Sequence, residues 1–209
     1  MSMLLTTTFA ATSIAQRAGA SWPWYIIRGA GFVAAGLIVL LVLSGIGQVT
    51  GIAYKYIEPV KMWAIHKALA LALCASIALH VGFLLIDNYV RFSAGQILIP
   101  FASTYNNGTK LLSLPLGTLA VGLGVLSMYG VAIIVASSLG WIDSKKSAWR
   151  TLHYLSYIVA IFIFLHALYA GSDLKYGTFR MLWILLGAIV SIGLIARLWR
   201  AGTTKRDIG

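Results

Sequence analysis

Five stretches of the chain, at about 26–46, 63–86, 113–138, 149–170 and 179–200, run for some twenty residues or more with charged side chains only towards their ends. Roughly twenty apolar residues in helical form cross the about 30 Å of hydrocarbon in a bilayer. Inside lipid the backbone has no water to bond, so each span must satisfy its own N–H and C=O groups as a helix. The fold class this predicts is an all-α integral membrane bundle of about five transmembrane helices. Composition agrees: 60% of the 209 residues are hydrophobic and 10% charged, where soluble domains carry about 25% charged residues. Segment 91–108 is too short and too polar at Asn106, Asn107 and Gly108 to cross. Residues Ile97 to Phe101 are expected to form a short interfacial or re-entrant piece broken at Pro100. The organisation read from the sequence is an N-terminal lead-in over 1–25, a transmembrane domain over 26–200 and a basic tail over 201–209.

Sixteen Lys and Arg against five Asp and Glu give a net charge of +11. The basic residues cluster between apolar spans rather than along one helical face or loop that could follow phosphates, which excludes a nucleic-acid partner and points to lipid head groups. Lys55, Lys61, Lys67, Lys145, Lys146, Arg150, Arg197, Arg200, Lys205 and Arg206 fall on one side. Arg17, Arg28, Arg91, Lys110, Lys175 and Arg180 fall on the other. Cationic loops prefer the cytoplasm, so a cell-membrane protein is expected with its N-terminus outside and its C-terminus in the cytoplasm. The first twenty residues carry only Arg17 and do not read as a cleaved signal peptide. Cys74 is the single cysteine. It can form no intramolecular disulfide or Cys-based metal set and reads as a small apolar filler.

All four histidines lie in two of the five spans, His66 and His80 in the second, His153 and His166 in the fourth. Separations of 14 and 13 residues correspond to about 20 Å along each helix. One span intervenes, so the second and fourth run in the same direction, which places His66 level with His153 and His80 level with His166. A polar ring in a membrane helix needs a partner, and two imidazoles at one level fall short of the four ligands of a closed zinc site. They match the two axial positions of a haem, whose porphyrin supplies the other four nitrogens. Without a C-x-x-C-H motif the haem is b-type and not covalently attached. The expectation is two bis-histidine haems b, one near each membrane surface.

One detail strains this picture. At about 100° per residue, His80 lies about 40° round its helix from His66, but His166 lies about 140° from His153. Either the fourth span twists, or its histidines work from different flanks. Around them, Lys67 and Arg150 are candidates to pair with haem propionates on the inner side, and Arg91, Lys110, Lys175 and Arg180 on the outer. Trp63 and Trp149 read as interfacial belt tryptophans. The 21 glycines read as close-packing positions between helices, with room for a flat macrocycle as the alternative.

The paired histidine spacings, together with Trp149-Arg150-Thr151-Leu152-His153-Tyr154-Leu155-Ser156-Tyr157, resemble the ferric reductase-like transmembrane domain family over roughly residues 28–200. That family includes the membrane parts of ferric reductases and NADPH oxidases and the haem subunit of bacterial methionine sulfoxide reductase systems. The resemblance implies axial pairs His66 with His153 and His80 with His166, the pairing already given by helix direction, and an oxidoreductase or its electron-transfer subunit. Many members continue into FAD and NADPH domains, whereas this sequence runs about nine residues past its last span and holds no G-x-G-x-x-G fingerprint. The expected donor is therefore separate: a flavoprotein, reduced free flavin or a membrane quinol. Outer acceptors consistent with the resemblance are ferric iron, oxygen or a partner oxidoreductase. Two rivals are a quinol-linked b561-like cytochrome, which needs a polar quinone pocket, and a non-redox metal transporter or scaffold. The second would need carboxylates along its path, yet Asp87 alone lies near a span end, with Glu58, Asp143 and Asp173 in loops.

Overall fold

The computed structural model describes the backbone of residues 2–88, 90–106, 108, 110, 111 and 114–206, and the side chains of these except 2–21, 111, 114 and 198–206. Six helices account for most of it: α1 (Ser2–Val49), α2 (Pro59–Leu84), α3 (Ala94–Leu98), α4 (Leu116–Gly140), α5 (Lys146–Ala170) and α6 (Thr178–Arg206). Five of them are long and apolar enough to cross a membrane, over Trp22–Val49, Pro59–Leu84, Leu116–Gly140, Lys146–Ala170 and Thr178–Arg197. The protein is a multi-pass membrane bundle.

Helix boundaries follow local chemistry. The α1–α2 connection turns at Gly51, whose φ of 73° suits a residue without a side chain, and α2 opens with Pro59 at its first position, where no N–H is needed. Helix α1 continues unbroken back to Ser2, through Pro23 and the lead-in. The short α3 is fixed by a capping box: the Ser93 side chain accepts from the Gln96 N–H, and Gln96 returns a bond to the Ser93 N–H. Its Ile97 is buried, and the Tyr129 hydroxyl of α4 donates to the Leu98 carbonyl at 2.8 Å. The short element expected over Ile97 to Phe101 is thus shifted towards the N-terminus, a helix that ends ahead of Pro100. Between α3 and α4, Lys110–Leu111 and Leu114–Pro115 pair as a two-residue antiparallel ladder.

The bundle is built from two tight hairpins. Helix α1 packs along α2, and α4 along α5, whereas the backbones of α2 and α5 barely approach one another. Within the first hairpin the Ser76 hydroxyl donates to the Ala30 carbonyl at 2.8 Å, a polar tie of the kind that holds helices together in lipid. Helix α6 packs against α1 and, through Trp183, against α5. That ring stacks on Phe164 with centroids 5.3 Å apart and donates its N–H to the Phe164 carbonyl at 3.1 Å. The far face of α6, with Leu185, Ile192 and Ile195 exposed, is left for lipid.

Candidate functional site

The histidine rings meet across the seam between the hairpins. His66 of α2 and His153 of α5 have ring centroids 6.3 Å apart with planes at 53°, and His80 and His166 have centroids 6.4 Å apart with planes at 88°. Helices α2 and α5 therefore run in parallel, and each level holds one ring from each hairpin.

The separation has a chemical meaning. A metal–imidazole bond is about 2 Å and a ring centroid lies roughly 1.1 Å from its own nitrogen, so two imidazoles on opposite sides of one metal ion have centroids about 6.2 Å apart. Both pairs stand at that distance. Among the described residues no third His, Cys, Asp or Glu joins either pair, so a metal held there needs its remaining ligands from another molecule.

The nitrogen facing away from the partner ring decides whether the other can bind a metal. The His80 Nδ1–H donates to the Ile27 carbonyl at 2.9 Å, and the His166 Nδ1–H to the Ala120 carbonyl at 2.8 Å. A carbonyl can only accept, so it fixes the tautomer and leaves a lone pair on Nε2. His66 Nδ1 lies 2.7 Å from the Ser44 hydroxyl, whose own proton goes to the Leu41 carbonyl at 2.8 Å. The Ser44 oxygen therefore accepts from His66 as well. His153 differs: its Nδ1 is buried and, among the described residues, has no hydrogen-bond partner. Its ring is held instead against Trp149, at 5.4 Å between centroids, while the Trp149 N–H donates to the Ser138 hydroxyl at 3.0 Å. Trp149 thus stands in the first turn of α5, with its ring against the histidine one helical turn further on. Trp63 stays half exposed, with the Lys67 ammonium over its ring.

The 13-residue spacing is accommodated by flank rather than by twist. Helix α5 is uninterrupted from Lys146 to Ala170. His166 leans towards α4, where it meets the Ala120 carbonyl. His153 lies near α6, whose Arg197 guanidinium sits 5.0 Å over the Tyr157 ring and close enough to His153 to act on it electrostatically. Both α2 histidines face α1.

A cavity opens beside the His80–His166 pair, lined by these two and by Gly31, Phe32, Ala35 and Leu73. At its rim Arg28 of α1 forms a two-pronged ion pair with Asp173, which also accepts from the Ser172 hydroxyl at 3.3 Å. Of the basic residues singled out in the sequence, Lys67 is exposed, and Arg150 is exposed in a shallow surface groove with Lys146 and Tyr154. Arg91 is exposed too, donating to the Asn88 carbonyl at 3.3 Å, between Val90 and Phe92, which line the cavity. Arg28 lines the cavity beside His80 and His166, and Arg197 sits over Tyr157 one turn from His153; the sequence had counted both only as loop charges.

A family profile described as "Ferric reductase like transmembrane component" matches residues 30–164. The chain belongs to the ferric reductase-like transmembrane family. The match takes in His66, His80 and His153 and ends just short of His166, a narrower range than the resemblance over 28–200. No curated protein and no solved structure matches the chain. Members of this family generally bind haem, and the two ring separations, the three fixed tautomers and the cavity beside His80 and His166 are all compatible with that group.

Proposed function

We propose that the protein is a b-type membrane cytochrome with two haems, His66 and His153 holding the inner one and His80 and His166 the outer, and that it carries electrons from a cytoplasmic donor to an outer acceptor. The observation that carries this reading is the pair of ring separations, 6.3 and 6.4 Å, on two helices whose backbones stay apart. Haem held by these imidazole pairs would supply one-electron exchange without binding oxygen at its iron. The chain's own residues do the rest. Ser44, Ile27 and Ala120 orient three of the four imidazoles, and Trp149 wedges the fourth. Arg197 offers a cation to the inner level, beside Lys67 and Arg150 as partners for haem carboxylates, and Arg28 or Arg91 serves the outer side. A negative-inside potential drives an electron outward by about 2.3 kcal/mol per 100 mV. The donor is a separate flavoprotein or reduced flavin, and the acceptor ferric iron, oxygen or an outer oxidoreductase.

Purified protein should be red, with two low-spin haems b per chain by pyridine haemochrome. Replacing His66 or His153 by Ala should remove one and the same haem, and replacing His80 or His166 the other. Colourless folded protein from haem-replete cells would refute the cytochrome reading. A His66→Ala spectrum that matched His80→Ala instead of His153→Ala would refute the pairing.

A further inference from the structure

The two outer histidines are seated by the same backbone device on two different helices. Ile27 accepts the His80 Nδ1–H, and the residue four positions on, one helical turn up the same face, is Gly31. Ala120 accepts the His166 Nδ1–H, and the residue four positions on is Gly124. A Cβ on Gly124 would stand 2.5 Å from His166 Nδ1, closer than such atoms can approach, and one on Gly31 would stand 3.4 Å from His80 Nδ1. A carbonyl inside a helix is already bonded along the axis and is screened from the side by the side chain one turn on. Glycine at that position uncovers it.

We infer that Gly31 and Gly124 are positioning residues of the outer histidine pair: each bares one helix carbonyl so that an imidazole can lie on the backbone, and together the two carbonyls hold the rings crossed at 88°. The inner pair lacks this arrangement. His66 is held by a side-chain hydroxyl rather than by a backbone carbonyl, and His153 Nδ1 has no partner among the described residues. The consequence is an asymmetry of donor strength. An imidazole whose N–H is bonded to a carbonyl is the more basic ligand, and a more basic ligand favours the oxidised metal.

The inference rests on the two-haem reading, and its test separates the two. Gly31→Ala, Gly124→Ala and, as a control, Gly130→Ala are made in the full chain. Gly130 faces the Val159 side chain in the same α4–α5 interface and touches no histidine there. Haem content, low-spin EPR and redox titration are read for each. Crossed imidazole planes give the more anisotropic low-spin signal, so the outer haem should have the larger maximum g value in the wild type. Gly124→Ala should lower that g value and raise the outer midpoint potential. Gly31→Ala should do so to a smaller extent, while the inner signal stays in place for both. Gly130→Ala should reduce thermal stability and leave both signals where they were. Should Gly124→Ala fail to accumulate, Gly31→Val decides in its place, because the Cβ alone already stands at the near edge of ordinary contact with the His80 ring and the branched side chain must go beyond it. Unchanged outer signals in glycine variants that keep both haems would overturn this inference and leave the two-haem reading standing. So would a Gly130→Ala effect equal to that of Gly124→Ala. A wild type without two low-spin haems would overturn both.

Discussion

Replacing Ser44 by Ala tests how the inner histidine pair is held. The Ser44 oxygen is the acceptor for His66 Nδ1, and His153 Nδ1 has no acceptor among the described residues, so the substitution removes the single hydrogen bond described at the Nδ1 atoms of that level. The lost bond is worth about 1 kcal/mol by itself, and leaving a partly buried N–H unpaired adds roughly 1–2 kcal/mol. Removing such an orienting partner typically weakens metal affinity about 10–100-fold, which is about 1.4–2.8 kcal/mol at 1.4 kcal/mol per decade. The two routes agree in size. In Ser44→Ala, inner haem should therefore pass to an excess of a haem-scavenging apoprotein about 10–100 times more readily than in the wild type, with outer haem unaffected because its histidines rest on carbonyls. Ser44→Thr, which keeps the hydroxyl, should restore retention. The assay is haem transfer in detergent, followed by optical difference spectra with the levels assigned from the histidine variants. Equal loss from both levels, or wild-type retention at the inner one, would refute the reasoning.

Arg197→Gln should lower the midpoint potential of the inner haem alone, since a nearby cation opposes the more positive oxidised state. A unit charge within about 10 Å at an effective dielectric of about 20 is worth roughly 1–2 kcal/mol, or about 40–80 mV for one electron, and Arg197→Lys should recover most of it. A titration in which the outer haem moves as far as the inner would count against the placement of this residue. For topology, a tag at the N-terminus should be reachable from outside intact cells and a tag at the C-terminus only from inside, as the ten-to-six division of Lys and Arg implies. Both tags on one face would contradict the five-span count.

The spans and the level pairing of the histidines were legible in the sequence because they depend on two robust quantities, the length of apolar runs and the rise per residue. Two helices with one span between them must run the same way, and that placed His66 opposite His153 without knowledge of any packing angle. The residues that orient the rings were hidden. Ser44, Ile27 and Gly31 lie on α1, and Ala120 and Gly124 on α4, and which face of those helices turns inward is set by how each hairpin packs. A sequence of nearly uniform hydrophobicity does not record that. The glycines were read as close-packing positions or as room for a flat macrocycle. Gly31 and Gly124 lie against the imidazoles and also line the cavity beside them. The 140° offset between His153 and His166 looked like an obstacle because a single facing flank was assumed, whereas α5 is flanked by α4 on one side and α6 on the other. Arg28 and Arg197 were missed for a related reason. Charges near span ends are counted for orientation, and nothing in their spacing distinguishes one that bends inward.

Each hairpin carries one member of each histidine pair, and that arrangement dictates an order of assembly. As the chain leaves the ribosome, α1 and α2 can insert and close on each other through Ser76 and Ala30 before α4 exists, and α4 and α5 can do the same afterwards. Neither half can complete a level by itself. The seam forms last, and in lipid the docking of two apolar surfaces gains little from the hydrophobic effect, so the Arg28–Asp173 ion pair, the contacts of α1 with α5 and α6, and any group that bridges the rings share the adhesion. Newly made protein deprived of such a group would have a weaker seam, and a looser bundle is a better substrate for membrane proteases. Its abundance in the cell would then follow the supply of the bridging group rather than the rate of synthesis.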